Sequence, residues 1–452
     1  MTSQKTDLKD LEKRLLDVPA AKFREIVKLL EQVRERPEVE DTLTTIRPRL
    51  TQVRPQRRPT LTRLMCLPFE DVLDGGGRVG SIGGVQRRAI IPIWRIVENG
   101  IDPKLLNLLQ HNSAATDPDD AAGHQAIGRQ LWRAAAEVLK RRLDLPEPPA
   151  GDIPATTLRR DVESVMPFLD CAEAIEELKP LLPEKPITYL SATDIAVIEH
   201  QIQMVARSDP GRPLQVLLVV AGRLANPASL LQRLEDMDFG KHARAQKPLI
   251  IARLGSMVVR NLEERSHHLT GDATLSTRPG DAVTLAESLI DGLISAGSAL
   301  DSAYDDSVAS RLQTVRGAVR GLIQSGVIDA APGRILPAAL EGELSMDRLE
   351  QAEDHARALR RCTRIAAPLG LGGMVESTLK MIEEELERSA GLLIQELESG
   401  GTHHAEAVVA GSRLFGAIRM IELVGGSSRA DMLLTRGSRA LEWLGQKAMA
   451  AP

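Results

Sequence analysis

Arginine is the residue type whose placement in this chain most suggests chemistry. Arg47, Arg49, Arg54, Arg57, Arg58 and Arg63 fall between Thr42 and Phe69, a span that holds neither an acid nor a lysine. Arg87 and Arg88 follow shortly after. A guanidinium presents a planar fork of donors that matches a phosphate or a carboxylate. Prolines at 37, 48, 55, 59 and 68 stiffen the same stretch, because a fixed φ and a missing N–H favour extended backbone. The expectation is that Arg47, Arg49, Arg54, Arg57, Arg58, Arg63, Arg87 and Arg88 dock an anionic partner. Pairing with the chain's own acidic helices, or plain solvation, is the competing explanation. Few aromatic residues interleave these arginines, so a stacking platform for single-stranded nucleic acid is poorly supplied; contact with a duplex backbone needs only charge.

Other spacings are weaker pointers. Gly75-Gly76-Gly77-Arg78-Val79-Gly80 matches GxGxxG literally. A dinucleotide site also needs a buried strand before the glycines and a βαβ context, and Phe69 to Asp74 is no such strand. Glu264 and His267 have the i, i+3 spacing of a helical di-iron ligand pair, but the motif occurs once where two copies and further carboxylates are required. His403, His404 and Glu406 sit at a helix start without a completing ligand. Ser377 and Lys380 match SxxK without the companion elements of an acylation site. Asp301, Asp305 and Asp306 form a loose acidic group on an expected helix, read as a solvated face. No metal site, cofactor or catalytic residue is assigned; a non-enzyme is the favoured reading and the question of catalysis stays open.

The elements that carry these residues follow from composition and periodicity. Apolar residues make up 43% of the 452 residues, charged residues 26% and aromatic residues only 2%, with a net charge of −5. Wholesale disorder, a disulfide scaffold and a polyelectrolyte are thereby excluded. A core of Leu, Ala, Ile, Val and Met suits helices, where small and unbranched side chains lose little rotamer freedom. Pleated sheets lean on β-branched and aromatic residues. The fold class expected is all-α, with two or three helical sub-domains.

Along the chain, periodicity and breakers suggest a helical hairpin over 1–36, a Pro/Arg/Gly-rich extended connector over 37–88 and a helical segment over 89–145. A central helical domain over 155–330 and a C-terminal bundle over 345–452 complete the expected organisation. Ser191-Ala-Thr-Asp194 reads as a capping box opening a helix, and a loop is expected from Asp329 to Met346. In the bundle, four stripes run Leu349 to Ala366, Val375 to Leu397, Val408 to Ile421 and Ala430 to Leu444. Glycines separate them, and helices joined by short loops pack as antiparallel neighbours. A stacked α-solenoid is the rival architecture.

Three widely separated cysteines, Cys66, Cys171 and Cys362, suggest a reducing compartment. The first residues carry no apolar signal region, and apolar runs such as Val216 to Ala221 are far short of the ~20 residues of a membrane span. Arginine outnumbers lysine 44 to 13, in keeping with GC-rich bacterial coding. The function expected is a cytoplasmic, non-catalytic helical adaptor or scaffold that binds protein and uses its arginine segment on an anionic partner. Association of copies would run through the C-terminal bundle. A nucleic-acid-associated protein contacting phosphates through Arg47 to Arg63, and an all-α metal-dependent enzyme, are the alternatives.

Overall fold

The computed structural model describes residues 18, 22–23, 26–27, 29–30, 43, 59–74, 82, 84–143, 155–267, 278–300, 306–340, 346–399 and 404–450. Among them, helix is the regular element throughout. Strand-like pairing is confined to two isolated bridges, Leu73 with Val85 and Ile187 with Leu224. The chain divides into two compact units, Met1–Leu67 with Ile90–Pro148, and Pro68–Ala89 with Pro149–Pro452.

In the first unit, α1 (Leu61–Cys66), α2 (Ile90–Gly100) and α3 (Pro103–Ala115) each pack on α4 (Ala121–Leu143). Local sequence sets their starts. The Thr60 hydroxyl accepts the Arg63 N–H at 3.2 Å. Asp102 caps α3 by accepting the Lys104 N–H at 2.8 Å, with Pro103 in the first turn, where its missing donor costs nothing. Helix α4 buries Ile127, Leu131, Trp132, Ala135 and Leu139 along one face. Full burial of each large side chain contributes about 1.5–3 kcal/mol. The Trp132 indole N–H donates to the Leu64 carbonyl at 2.8 Å, so its polar atom is satisfied inside the core. Most of the expected hairpin over 1–36 lies outside the described residues. Within it, Phe23 and Val27 are buried against Ile26, Leu30 and Leu43.

The second unit takes in a segment read from sequence as connector. Within that connector a short apolar turn is expected over Leu61 to Leu67; instead Leu61–Val72 is helical throughout, α1 of the first unit continuing into a 3-10 turn over Leu67–Val72. The reason is apolar spacing. Leu61, Leu64, Met65, Phe69 and Val72 recur at three and four residues and are buried, and this outweighs the flanking prolines. In the second unit, Phe69 stacks at a tilt on Phe168 with ring centres 6.5 Å apart. The Asp74 N–H donates to the Val85 carbonyl at 2.7 Å, and the Val85 N–H to the Val72 carbonyl at 3.0 Å. The glycine motif of 75–80, between these bonded segments in sequence, lies outside the described residues.

Next come α5 (Ala155–Asp170), α6 (Ala172–Leu178), α7 (Ala192–Ala206) and α8 (Pro213–Arg223), then two short helices, α9 (Leu231–Leu234) and α10 (Gly240–Ala243). The expected capping box is present at α7: Ser191 and Asp194 exchange side-chain-to-backbone bonds at 3.2 and 2.7 Å. Helices α11 (Lys247–His267), α12 (Pro279–Leu300) and α13 (Asp306–Ile323) pack on one another. Among the described residues α12 alone is long and apolar enough to cross a membrane by length and composition. It buries 44% of its apolar window against other helices of the unit. A search for unbroken apolar runs passes over it because glycine, serine and acids interrupt its leucines. The loop expected over Asp329 to Met346 instead holds α14 (Ala331–Leu340), which buries Ala331, Ile335 and Ala339 at four-residue spacing despite Pro337. Burial of that face offsets the hydrogen bond that the proline removes.

The C-terminal helices form the expected bundle: α15 (Met346–Cys362), a single turn α16 (Ala366–Leu369), α17 (Gly372–Ser399), α18 (His404–Gly425) and α19 (Ser427–Ala450). Helix α18 packs on α15, α17 and α19, and α17 also on α19. Gly370 ends α16 at φ +67° and Gly426 joins α18 to α19 at φ +107°, a left-handed backbone that only glycine adopts without strain. A Cβ on Gly437 would stand 2.7 Å from Leu414, so the missing side chain is what lets α19 approach α18.

Candidate anion-binding pocket

Two charged clusters in the second unit are candidates, and their charge balance separates them. The first centres on Asp71, whose side chain is fully buried. Lys185 Nζ stands 2.6 Å from its Oδ1, while Arg223 Nη1 and Lys179 Nζ stand 3.3 and 3.8 Å from Oδ2. Lys179 also reaches Glu176 at 2.7 Å and Glu70 at 3.9 Å. Burial disfavours an ionised Asp71, yet Lys179, Lys185 and Arg223 together hold its carboxyl below the usual carboxylate range. Glu176 goes the other way: burial raises it against the pull of Lys179. Three acids face three cations, so the cluster cancels itself and leaves no charge for a ligand. It is a clamp that fastens the 68–74 segment to the 172–187 region and the end of α8.

The second cluster is not balanced. A cavity of about 380 Å³ lies between the segment before α2, helix α5 and helix α11. Thr157, Arg160, Asp161 and Ser164 line it from α5, at the i, i+3, i+4, i+7 spacing that defines one helical face. Gly84, Gln86 and Arg88 line it from the returning arm of the 68–89 loop, and Arg260 from α11. Arg88, Arg160 and Arg260 are exposed at the rim, whereas Asp161 is 7% exposed. Its Oδ2 is buried without a hydrogen-bond partner among the described residues. Burial pushes the Asp161 carboxyl above the ordinary range, against the opposing charges of Arg88 and Arg160. Arg260 also pairs with Glu264 at 3.6 Å across one exposed turn. Among the described residues, three arginines against one lining carboxylate, with Glu264 beside Arg260, leave the cavity wall net positive.

Of the residues singled out from sequence, Arg88 alone lines this cavity. Arg87 is exposed beside it, and its Nε donates to the Asp74 carbonyl at 3.0 Å. Arg63 is exposed on α1, in the other unit. Arg47, Arg49, Arg54, Arg57 and Arg58 lie outside the described residues. Arg160 and Arg260 were not anticipated. The polar quartet on α5 was the available signal for Arg160, while Arg260 follows it by a hundred positions and carries no local signature.

The other motifs are spent elsewhere. Glu263 is held by Arg311 through two bonds of 2.7 and 2.6 Å, which lower its carboxyl. Glu264 and His267 are exposed, and among the described residues no group of three or more potential metal ligands exists. Ser377 and Lys380 are both exposed on α17; the serine hydroxyl donates to the Met374 carbonyl and the lysine faces Glu384. Asp301, Asp305 and His403 lie outside the described residues. All three cysteines are buried. Burial lifts the thiols of Cys171 and Cys362 to about 12, which keeps them protonated and unreactive. No protein-family model, no curated protein and no solved structure matches this chain.

Proposed function

We propose that the chain is a non-catalytic helical adaptor of the cytoplasm that docks an anionic group of a protein partner in the pocket formed by Arg88, Arg160 and Arg260. One observation carries the reading: arginines from three separate segments line one cavity whose only acid among the described residues is buried. The balanced Asp71 clamp provides the contrast, since there the cations already have their counter-charges. Contact with a duplex backbone spreads over many phosphates, whereas these arginines line one bounded cavity, which favours a discrete anionic group. Cys171 and Cys362, buried as protonated thiols, support a reducing compartment.

Fluorescence anisotropy of labelled peptides tests this. The peptides carry one glutamate or one phosphoserine in a neutral sequence, and a peptide without charge serves as control. The expected result is binding of an anionic peptide that weakens with salt and with Arg88→Ala or Arg260→Ala. A protein that binds neither anionic peptide at low salt removes the reading.

A further inference from the structure

We infer that the pocket is built for a phosphate monoester, with Asp161 at its floor as the neutral partner of a phosphate oxygen. The inference rests on the anion-docking reading above and narrows it.

Charge is the first argument. With Asp161 protonated, as in the bound state, Arg88, Arg160 and Arg260 less the Glu264 that pairs with Arg260 sum to two positive charges, the complement of a phosphate monoester near −2 at neutral pH. A carboxylate would leave one positive charge unmatched. The second argument is valence. A phosphate monoester offers three terminal oxygens to three guanidinium forks, and a carboxylate offers two. The third is Asp161 itself. Its buried Oδ2 has no hydrogen-bond partner among the described residues, so it is a polar group with bonding capacity to spare. Burial already biases it toward the protonated form. The charges acting on it are those of Arg88 from the 87–89 turn and Arg160 from its own helix, and Arg260 lines the same cavity from α11. An arriving dianion offsets those cations, so Asp161 takes up a proton from solvent and donates it in a hydrogen bond to the phosphate. The remaining volume is lined by Thr157, Ser164 and Gln86. These suit the hydroxyls or backbone that carry the phosphate, and among the described lining residues there is no aromatic ring to stack a base.

Isothermal titration of the full chain tests the inference with three probes: a phosphoserine peptide, glycerol 3-phosphate and the matching glutamate peptide. At least one phosphate monoester should bind about tenfold or more tightly than the glutamate peptide. Arg88→Ala and Arg260→Ala, both at exposed positions, should each weaken it about tenfold or more with an unchanged circular dichroism spectrum. Titration in two buffers of different ionisation enthalpy should show proton uptake by the wild type and less by Asp161→Asn, whose amide keeps a donor. Whichever phosphate monoester binds identifies the source, a modified side chain or a small ester. Equal affinity for the glutamate peptide overturns the phosphate inference and leaves the anion-docking reading standing. Wild-type affinity in the arginine variants overturns the pocket assignment, and failure of all three probes overturns both readings.

Discussion

Asp71→Asn isolates the charge of the buried clamp, because the amide has nearly the shape of the carboxylate and keeps one acceptor. Its magnitude follows from what stays behind. Lys185 is 53% exposed and regains water, and Lys179 retains Glu176 at 2.7 Å. Arg223, 11% exposed, loses its close counter-charge. Removing one partner of a buried ion pair costs about 3–5 kcal/mol. With two of the three cations still partly compensated, the lower end applies: a loss of about 3 kcal/mol, a large share of the ~5–15 kcal/mol that holds a domain folded. Urea unfolding of both proteins, followed by far-ultraviolet circular dichroism, reads this as an earlier transition for the variant.

The pH dependence supplies a second reading of the same interaction. Asp71 has a lowered carboxyl in the folded state. Its stabilisation is therefore fully present above the ordinary aspartate value of ~3.9 and is lost as pH falls through the lower folded value. The gap between wild type and variant should be widest above about pH 4 and close below it. A gap under about 1 kcal/mol at neutral pH, or one unchanged in strong acid, would refute the clamp.

Backbone contact at the same place gives a sharper steric test. A Cβ on Gly222 would lie 2.1 Å from the Asp71 carbonyl oxygen, so Gly222→Ala must push α8 and the 68–74 segment apart, costing about 1–3 kcal/mol in urea unfolding. Gly321→Ala in α13 meets nothing within 4 Å and should instead be neutral or stabilise by up to about 1 kcal/mol. Trp132→Phe removes the donor to the Leu64 carbonyl inside the first unit and should cost about 1–3 kcal/mol, measured by the same method. A thiol-reactive dye at mildly alkaline pH should label Cys171 and Cys362 only after denaturant is added, since burial holds both thiols near 12. Prompt labelling of the native protein would contradict their placement.

The C-terminal stripes show how far periodicity reaches. On α17, Val375, Ile382, Leu386 and Leu397 are buried as their spacing implies, but Ala390 and Ile394 complete the face where a 3.5-residue repeat points to Ser389 and Leu393. A straight helix turns in 3.6 residues, so a heptad count drifts off the true face over several turns. On α18 the same drift misplaces Val408 and Phe415, which are 58% and 44% exposed, while Ala410, Leu414, Ala417 and Ile421 are buried. That helix is packed by neighbours on several sides, and a single stripe cannot describe it.

The candidate pocket was less legible than the helices. Arg88 was marked by the local surplus of arginine, but five of its companions there fall outside the described residues. Arg160 sits among Arg159 and Glu163, charges typical of any solvated helix face. Only the burial of Asp161 and the return of the 68–89 loop distinguish that face from an ordinary one. The loop itself is assigned to the second unit although the residues flanking it on both sides belong to the first.

Side-chain composition and the three-to-four-residue rhythm of aliphatic residues were enough to determine an all-helical protein, its glycine-marked helix ends and its C-terminal bundle. Those properties depend on neighbours within a turn or two of the chain, and local sequence records them. Which loop joins which unit, which acid loses its water and which arginines meet across a cavity depend on groups tens to more than a hundred positions apart. Such contacts leave no trace in spacing, because desolvation and charge balance exist only once the helices have packed.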